Sequence, residues 1–185
     1  MRIISGKFKG RRLVSFNEDH IRPTTDRVKE SLFNILGEKT DGARVLDLFA
    51  GTGNLGIEAI SRGAASVDMV EVSLKSIQII RKNLQALQIT EGIQIHKSDV
   101  IKFIQNYEEA SFDIILIDPP FPLKICLQTL TDIGICEIAH ENTSIVVEHA
   151  KQELLPDQIS TLRRVDSRDY GDKLLSFFIK ESQAQ

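Results

Sequence analysis

Up to residue 42 the apolar residues fall in brief, irregular groups, and from Ala43 onward they alternate between strand-like runs and helical stripes. In the first part, Ile3-Ile4 and Leu13-Val14 flank a segment rich in Gly, Lys and Arg, which predicts a β-hairpin over residues 2–16. Arg22-Pro23-Thr24-Thr25-Asp26 interrupts the pattern, with Thr25 or Asp26 suited to cap a following helix. Val28, Leu32, Phe33, Ile35 and Leu36 then line one helical face that ends near Gly37. In the second part, strands are predicted at 44–49, 67–72, 93–97, 112–117 and 143–149, and helices at 54–62, 74–88, 99–107, 123–133 and around 152–159. Unbroken apolar runs such as Ile114-Ile115-Leu116-Ile117 suit a parallel sheet covered on both faces. Two closing runs, about 161–168 and 174–180, have a turn at Tyr170-Gly171-Asp172 and no helix between them, so an antiparallel edge hairpin is expected. The pattern is α/β, read as one domain made of an N-terminal hairpin and helix (1–37) and a doubly wound core (43–180).

Composition narrows the class only a little. Hydrophobic content of 42% and charged content of 26% are ordinary for a globular chain. The apolar runs are too short to span a bilayer, and Met1-Arg2-Ile3-Ile4-Ser5-Gly6-Lys7 turns polar too soon for a secretory signal. Cys126 and Cys136 make neither a disulfide framework nor a metal cluster, and the four histidines lack metal-ligand spacing, so a cytoplasmic protein without a metal is expected. Charge is unevenly placed. Residues 1–30 hold eight Lys/Arg against four acids, a net +4, and the other 155 residues carry −7. A basic arm on an acidic body is a plausible footprint for phosphate contacts; a solvated surface hairpin is the plainer reading.

The chemistry concentrates at predicted strand ends, where doubly wound sheets bind ligands. After the first strand comes Asp47-Leu48-Phe49-Ala50-Gly51-Thr52-Gly53-Asn54-Leu55-Gly56. Gly51, Gly53 and Gly56 satisfy the dinucleotide fingerprint, and Glu71 stands 20 residues after Gly51. Asp47, four residues before Gly51, points elsewhere: a carboxylate there repels a pyrophosphate and suits a cation such as the sulfonium of S-adenosylmethionine. An Asp that merely caps a turn is the structural alternative. Glu71 can accept from both ribose hydroxyls or cap the next helix, and Asp99 can take an adenine amine or cap.

The fourth strand end reads Asp118-Pro119-Pro120-Phe121. Two prolines remove backbone donors and stiffen the turn. The Asp118 carboxylate and Pro119 carbonyl can then accept the two N–H bonds of an exocyclic amine while Phe121 stacks on its ring. Catalysis by positioning and charge stabilisation of an in-line displacement follows from such a site.

Asp118-Pro119-Pro120-Phe121 resembles the fourth motif of amino-directed nucleic-acid methyltransferases, and Asp47-x-x-x-Gly51-x-Gly53 the first motif of class I methyltransferases. Arg2 to Leu13, Arg22 to Leu36 and Tyr170-Gly171-Asp172 further resemble the bacterial ribosomal RNA small-subunit methyltransferase D family, over about residues 2–180. That resemblance implies a Rossmann-like, S-adenosylmethionine-dependent enzyme that methylates the N2 amine of a guanine in 16S rRNA, acting on the small ribosomal subunit or its assembly intermediate. It assigns the target amine to Asp118, Pro119, Pro120 and Phe121, and the cofactor to Asp47, Phe49, Gly51, Thr52, Gly53, Glu71 and Asp99, with Thr24 and Thr25 near the methionine end or the substrate entrance. Lys7, Lys9, Arg11, Arg12, Arg22 and Arg27 are the expected RNA contacts. A DNA or protein amino-methyltransferase with the same four-residue site, or a non-catalytic rRNA-binding assembly factor, are the competing readings.

Overall fold

In a computed structural model, residues 1–15, 26–120 and 124–181 are described. A single eight-stranded sheet runs in the order β3-β2-β1-β4-β5-β8-β7-β6. β1 (Arg44–Leu48), β2 (Ser66–Glu71), β3 (Ile93–Lys97), β4 (Phe112–Ile117) and β5 (Ala139–Ala150) are parallel to their neighbours in that group. β8 (Lys173–Lys180) is antiparallel to β5, β7 (Leu162–Tyr170) to β8, and the two-residue β6 (Gln158–Ile159) to β7. The mixed sheet with an antiparallel C-terminal edge is the architecture the hydrophobic pattern predicts.

The strands bury both faces because neighbouring apolar residues point opposite ways. Val45, Val67, Met69, Ile114 and Leu116 pack under α1 (Asp26–Leu36), α2 (Asn54–Ser61) and α3 (Leu74–Leu87). Leu46, Leu48, Val70, Ile115 and Ile117 pack under α4 (Val100–Gln105) and α5 (Cys126–Ile135). No helix among the described residues is long and apolar enough to cross a membrane.

Two expectations need correction. The helix expected around 152–159 does not form. Its residues make a turn, closed by the Glu153 amide on the Ala150 carbonyl at 3.0 Å, and then β6. Pro156 lacks the amide and disfavours helical backbone at the preceding residue, which stops a helix there. The N-terminal hairpin is held by a single bridge, Arg2 to Arg12, rather than a ladder. Its backbone closes through Ile3 N–H on the Arg11 carbonyl (2.9 Å) and Gly10 N–H on the Ile3 carbonyl (2.8 Å). The amides of Ile4, Ser5, Lys7 and Phe8 are taken instead by Glu58 and Ser61 of α2.

Candidate active site

α2, which follows β1, covers one face of the sheet, and α5, which follows the adjacent β4, covers the other. The connections therefore diverge between β1 and β4 and leave a crevice beyond their carboxyl ends, the place where such sheets bind ligands. Asp47 and Asp118 belong to these two strand ends, and Glu71 ends β2, the next strand over.

Asp47 is 1% exposed, and its Oδ2 accepts the Gly56 N–H at 2.8 Å. Gly56 lies in the first turn of α2, where amides have no partner within the helix and a negative charge is favoured by the helix dipole. A Cβ on Gly56 would fall 2.5 Å from Met69 Cε and 3.0 Å from Asp47 Oδ2, so only glycine lets α2 approach β1 and β2 this closely. Burial pushes the Asp47 carboxyl up to about 8; the Gly56 amide opposes the rise, and the charges of Asp118 and Glu71 add to it. Three carboxylates thus share one electrostatic neighbourhood.

The turn between β1 and α2 is built from left-handed backbone: Phe49 at φ +63°, Gly51 at +55° and Gly53 at +80°. For Phe49 that conformation is strained, a cost of order 1–3 kcal/mol that tends to persist at functional positions. It is held by Ala50 N–H on the Val70 carbonyl (3.0 Å) and Gly53 N–H on the Ala50 carbonyl (2.7 Å). A Cβ on Gly51 would meet nothing closer than the Phe49 carbonyl, at 3.9 Å, so the backbone there is left open to a ligand. Thr52 is nearly buried, and its carbonyl accepts from Asn83 Nδ2 at 3.0 Å.

Glu71 does more than face the crevice. Oε2 accepts the Gly51 N–H and Oε1 the Ser73 N–H, both at 2.8 Å, so one carboxylate ties the glycine turn to the start of α3. The neighbouring Val72 is 66% exposed, apolar surface next to Glu71 that its sequence context did not reveal. Asp99 caps α4, with Oδ1 accepting the Lys102 N–H at 3.1 Å, and is exposed. In the fourth-strand motif Asp118 is half-buried, Pro119 buried and Pro120 exposed. Phe121, Thr24, Thr25 and Arg22 lie outside the described residues.

A carboxyl-lined crevice over an open glycine turn fits S-adenosylmethionine, which carries a sulfonium and an ammonium and no phosphate and whose positive charge would favour the ionised form of Asp47. Asp47, Gly51 and Glu71 could hold it, and the same carboxylates, when ionised, disfavour a pyrophosphate. Among the described residues no group of three His, Cys, Asp or Glu side chains could share a metal ion.

Sequence reasoning missed the clamp that docks the N-terminal segment beside this site. Lys29 in α1 is fully buried, donates to the Arg2 carbonyl and to Asn54 Oδ1, each at 2.7 Å, and lies 3.3 Å from Glu58 Oε2. Glu58 in α2 also accepts the amides of Ile4 (2.8 Å) and Ser5 (3.0 Å) and the Arg62 guanidinium (2.9 Å). Farther along the hairpin, Lys7 N–H reaches the Ser61 carbonyl at 2.7 Å and Phe8 N–H the Ser61 hydroxyl at 3.0 Å. Asn83 in α3 grips Val14, accepting its amide at 2.7 Å and donating to its carbonyl at 3.1 Å. A signal existed: Lys29, Leu32, Phe33 and Leu36 share one helical stripe, which places a cation among core positions.

Behind the motif of β4, Glu153 Oε1 accepts the Cys126 amide that opens α5 (2.9 Å). His149, 2% exposed, contacts the carbonyls of Ala150 and Glu153 through Nδ1, each at 3.1 Å, and Ser176 Oγ through Nε2 at 2.9 Å. Burial holds this imidazole below its ordinary value, against the pull of those carbonyls, and pushes the Cys126 thiol up. Both belong to the scaffold, Cys126 at the start of α5 and His149 in β5.

Comparison with known proteins matches this architecture throughout its length. The family model described as Conserved hypothetical protein 95 covers residues 1–179. A Bacillus subtilis chain, YlbH, provisionally named an rRNA methyltransferase, is 39% identical over 92% of this chain and 94% of its own. The Haemophilus influenzae protein named Ribosomal RNA small subunit methyltransferase D is 37% identical over 84% of this chain and 81% of its own. The solved structure of yhhF from Escherichia coli, provisionally named a methyltransferase, superposes with a TM-score of 0.86 at 29% identity and covers 99% of both chains. The fold is that of the class I methyltransferases, and the chain belongs to the family of the ribosomal RNA small subunit methyltransferase D proteins.

Proposed function

We propose that this protein methylates the exocyclic N2 amine of a guanine in 16S rRNA, using S-adenosylmethionine, within the small ribosomal subunit or its assembly intermediate. The observation that carries the reading is the convergence of Asp47, Glu71 and Asp118 on one crevice, where the charges of the other two add to the burial that raises the Asp47 carboxyl, in a chain whose relatives are named for rRNA methylation.

The bound cofactor supplies an electrophilic methyl group. Asp47, with the turn from Phe49 to Gly53, would hold its cationic end, Glu71 would accept from the ribose hydroxyls, and Asp99 would bound the adenine; Thr24 and Thr25 are assigned to the methionine end or the substrate entrance. Asp118 and the Pro119 carbonyl accept the two N–H bonds of the target amine and fix its lone pair toward the methyl group. Pro120 stiffens the turn, and Phe121 stacks on the splayed-out base. Asp118 stabilises the positive charge that develops on the nitrogen, whose proton then leaves to water. Burial of Pro119 against the strand end supports this reading, because it stiffens the position of its carbonyl.

The test uses small ribosomal subunits from cells lacking this enzyme. They are incubated with the protein and methyl-labelled S-adenosylmethionine, digested to nucleosides and analysed by mass spectrometry. Labelled N2-methylguanosine is the expected product. Label in a different nucleoside would overturn the target atom, and label in duplex DNA or protein but not in the particles would overturn the substrate.

A further inference from the structure

The N-terminal hairpin and α3 form one continuous cationic surface, although 59 residues separate Ser15 from Lys75 in the sequence. Residues 1–15 contain Arg2, Lys7, Lys9, Arg11 and Arg12 and no acid, and α3 contains Lys75, Arg81 and Lys82 and no acid. The two segments are in contact. Arg11 Nη2 donates to the Ala86 carbonyl of α3 at 3.0 Å, and Asn83 holds Val14. Lys82 and Lys75 precede Ala86 by four and eleven residues, so both lie along the flank that Arg11 meets, and Arg81 stands about 100° round the helix from Lys82, on its exposed face.

Charge pairing sets this surface apart from the C-terminal hairpin. On and beside β7, Lys151, Arg163, Arg164 and Arg168 each lie within ion-pair distance of an acid: Asp169, Glu181, Asp157 and Asp166. Among the described residues no acid pairs with Lys7, Lys9, Arg11, Arg12, Arg81 or Lys82, and all six are exposed. Cations that fold without acidic partners are available to phosphate, whereas paired ones would first have to give up a protein contact.

Gly6 to Phe8, at the tip of the hairpin, rest on Ser61 at the far end of α2 from the glycine turn, about 12 Å away for eight helical residues. A ligand that reaches both this surface and the crevice must be extended and polyanionic.

Resting on the reading of the function above, we propose that α3, through Arg81 and Lys82, joins the hairpin in a single phosphate-binding face that seats the RNA substrate on this side of the protein. The face binds backbone rather than base edges, so it contributes affinity and register without sequence choice.

Binding of the small ribosomal subunits described above is measured against salt for the wild type, for Arg81→Gln/Lys82→Gln, and for Arg163→Gln/Arg168→Gln, which removes the same formal charge from β7. The α3 double variant is expected to bind about tenfold more weakly and to lower the slope of log K against log salt by about one to two, with cofactor affinity and turnover at saturating particles unchanged. The β7 variant is expected to match the wild type. Equal weakening in both variants would overturn the proposal, because net charge alone would then explain it. Wild-type affinity and slope in the α3 variant would also overturn it, while leaving the proposed function in place. If the wild type failed to bind the particles at all, that reading of the function would fall, and this surface with it.

Discussion

Lys29 Nζ and Glu58 Oε2 stand 3.3 Å apart with both side chains fully buried, one in the first turn and a half of α1 and the other in the middle of α2. Burial lowers the Lys29 ammonium from its ordinary value, and Glu58 counteracts that by attraction and by a hydrogen bond. The sheltered pair organises the N-terminal segment: Lys29 holds the Arg2 carbonyl and Glu58 the amides of Ile4 and Ser5. Because Lys29 also holds Asn54, the first residue of α2, the segment is joined to the helix that follows the glycine turn.

Removing Lys29 takes the cation from beside buried Glu58 and the donor from the Arg2 carbonyl and Asn54 Oδ1. Lys29→Met is expected to cost about 3 kcal/mol, in the range for broken buried pairs. Limited proteolysis should then cut within residues 1–15 well before the rest of the chain unfolds, and thermal melting should shift down by about 6–12 °C. Protection of that segment equal to the wild type would show that apolar packing of Ile3 and Leu13 holds it instead.

Gly6 offers a sharper test of the same docking. A Cβ there would fall 1.7 Å from the Ser61 carbonyl oxygen, at a backbone φ of +80°. Gly6→Ala must therefore lift the hairpin off α2. The expected result is weaker binding to small ribosomal subunits with cofactor affinity changed less than about threefold, a free-energy change of about 0.7 kcal/mol. Gly10→Ala, at a similar φ of +82° but with nothing within 4 Å, carries the backbone strain without the clash and should weaken binding far less.

Asp47 gives a prediction in pH. Its folded-state carboxyl titrates near 8, far above the unfolded value of 3.8, so the folded protein binds the extra proton between those limits. Its contribution to stability is full below about 3.8 and is lost as pH rises through 8. Asp47→Asn keeps an acceptor for the Gly56 amide without that loss, and should melt about 2–4 °C higher than the wild type at pH 8.5, as for about 1 kcal/mol, with little difference at pH 5. Cofactor binding, which needs the anion, should fall by at least tenfold, and in the wild type should strengthen as pH rises toward 8. Equal cofactor affinity for the two proteins by calorimetry would remove Asp47 from the cofactor site.

Asp118 divides binding from chemistry. Asp118→Ala is expected to abolish methyl transfer while leaving cofactor affinity nearly intact, since its proposed partner is the target amine. Loss of cofactor binding in the variant, measured by the same titration, would assign Asp118 to the cofactor instead.

His149 supplies the acid limit. Its folded-state value is depressed by burial, so its neutral form stabilises the fold above about 6.5, and that stability is lost as pH falls through the lower folded value. Melting temperature should drop between pH 6.5 and 5, and His149→Gln should flatten that drop. An unchanged pH profile in the variant would place the acid sensitivity elsewhere.

How much of this was legible in the residues alone can be judged element by element. The parallel core was, because Val45-Leu46 and Ile114 to Ile117 are apolar on both sides of the strand and only a doubly covered sheet buries them. The strand-end positions of Asp47, Glu71, Asp99 and Asp118 followed from the same periodicity, and the crevice brings three of them together. The helix expected around residues 152–159 failed because Pro156 and the His149 and Glu153 contacts outweighed a weak apolar pattern.

The chain by itself determined which segments are strands and helices and which strand ends carry acids, since both depend on local order: side-chain period, turn residues and the glycines that tolerate left-handed backbone. Tertiary structure alone decided what those acids do. Glu71 spans Gly51 and Ser73, Asp47 loses water and holds its proton to about 8, and Glu58 gathers amides from 53 and 54 residues away. It also decided that Arg11 lies against α3, so that two basic segments become one surface. The physical reason is that burial and electrostatic neighbourhood depend on distance in space, which sequence separation does not encode.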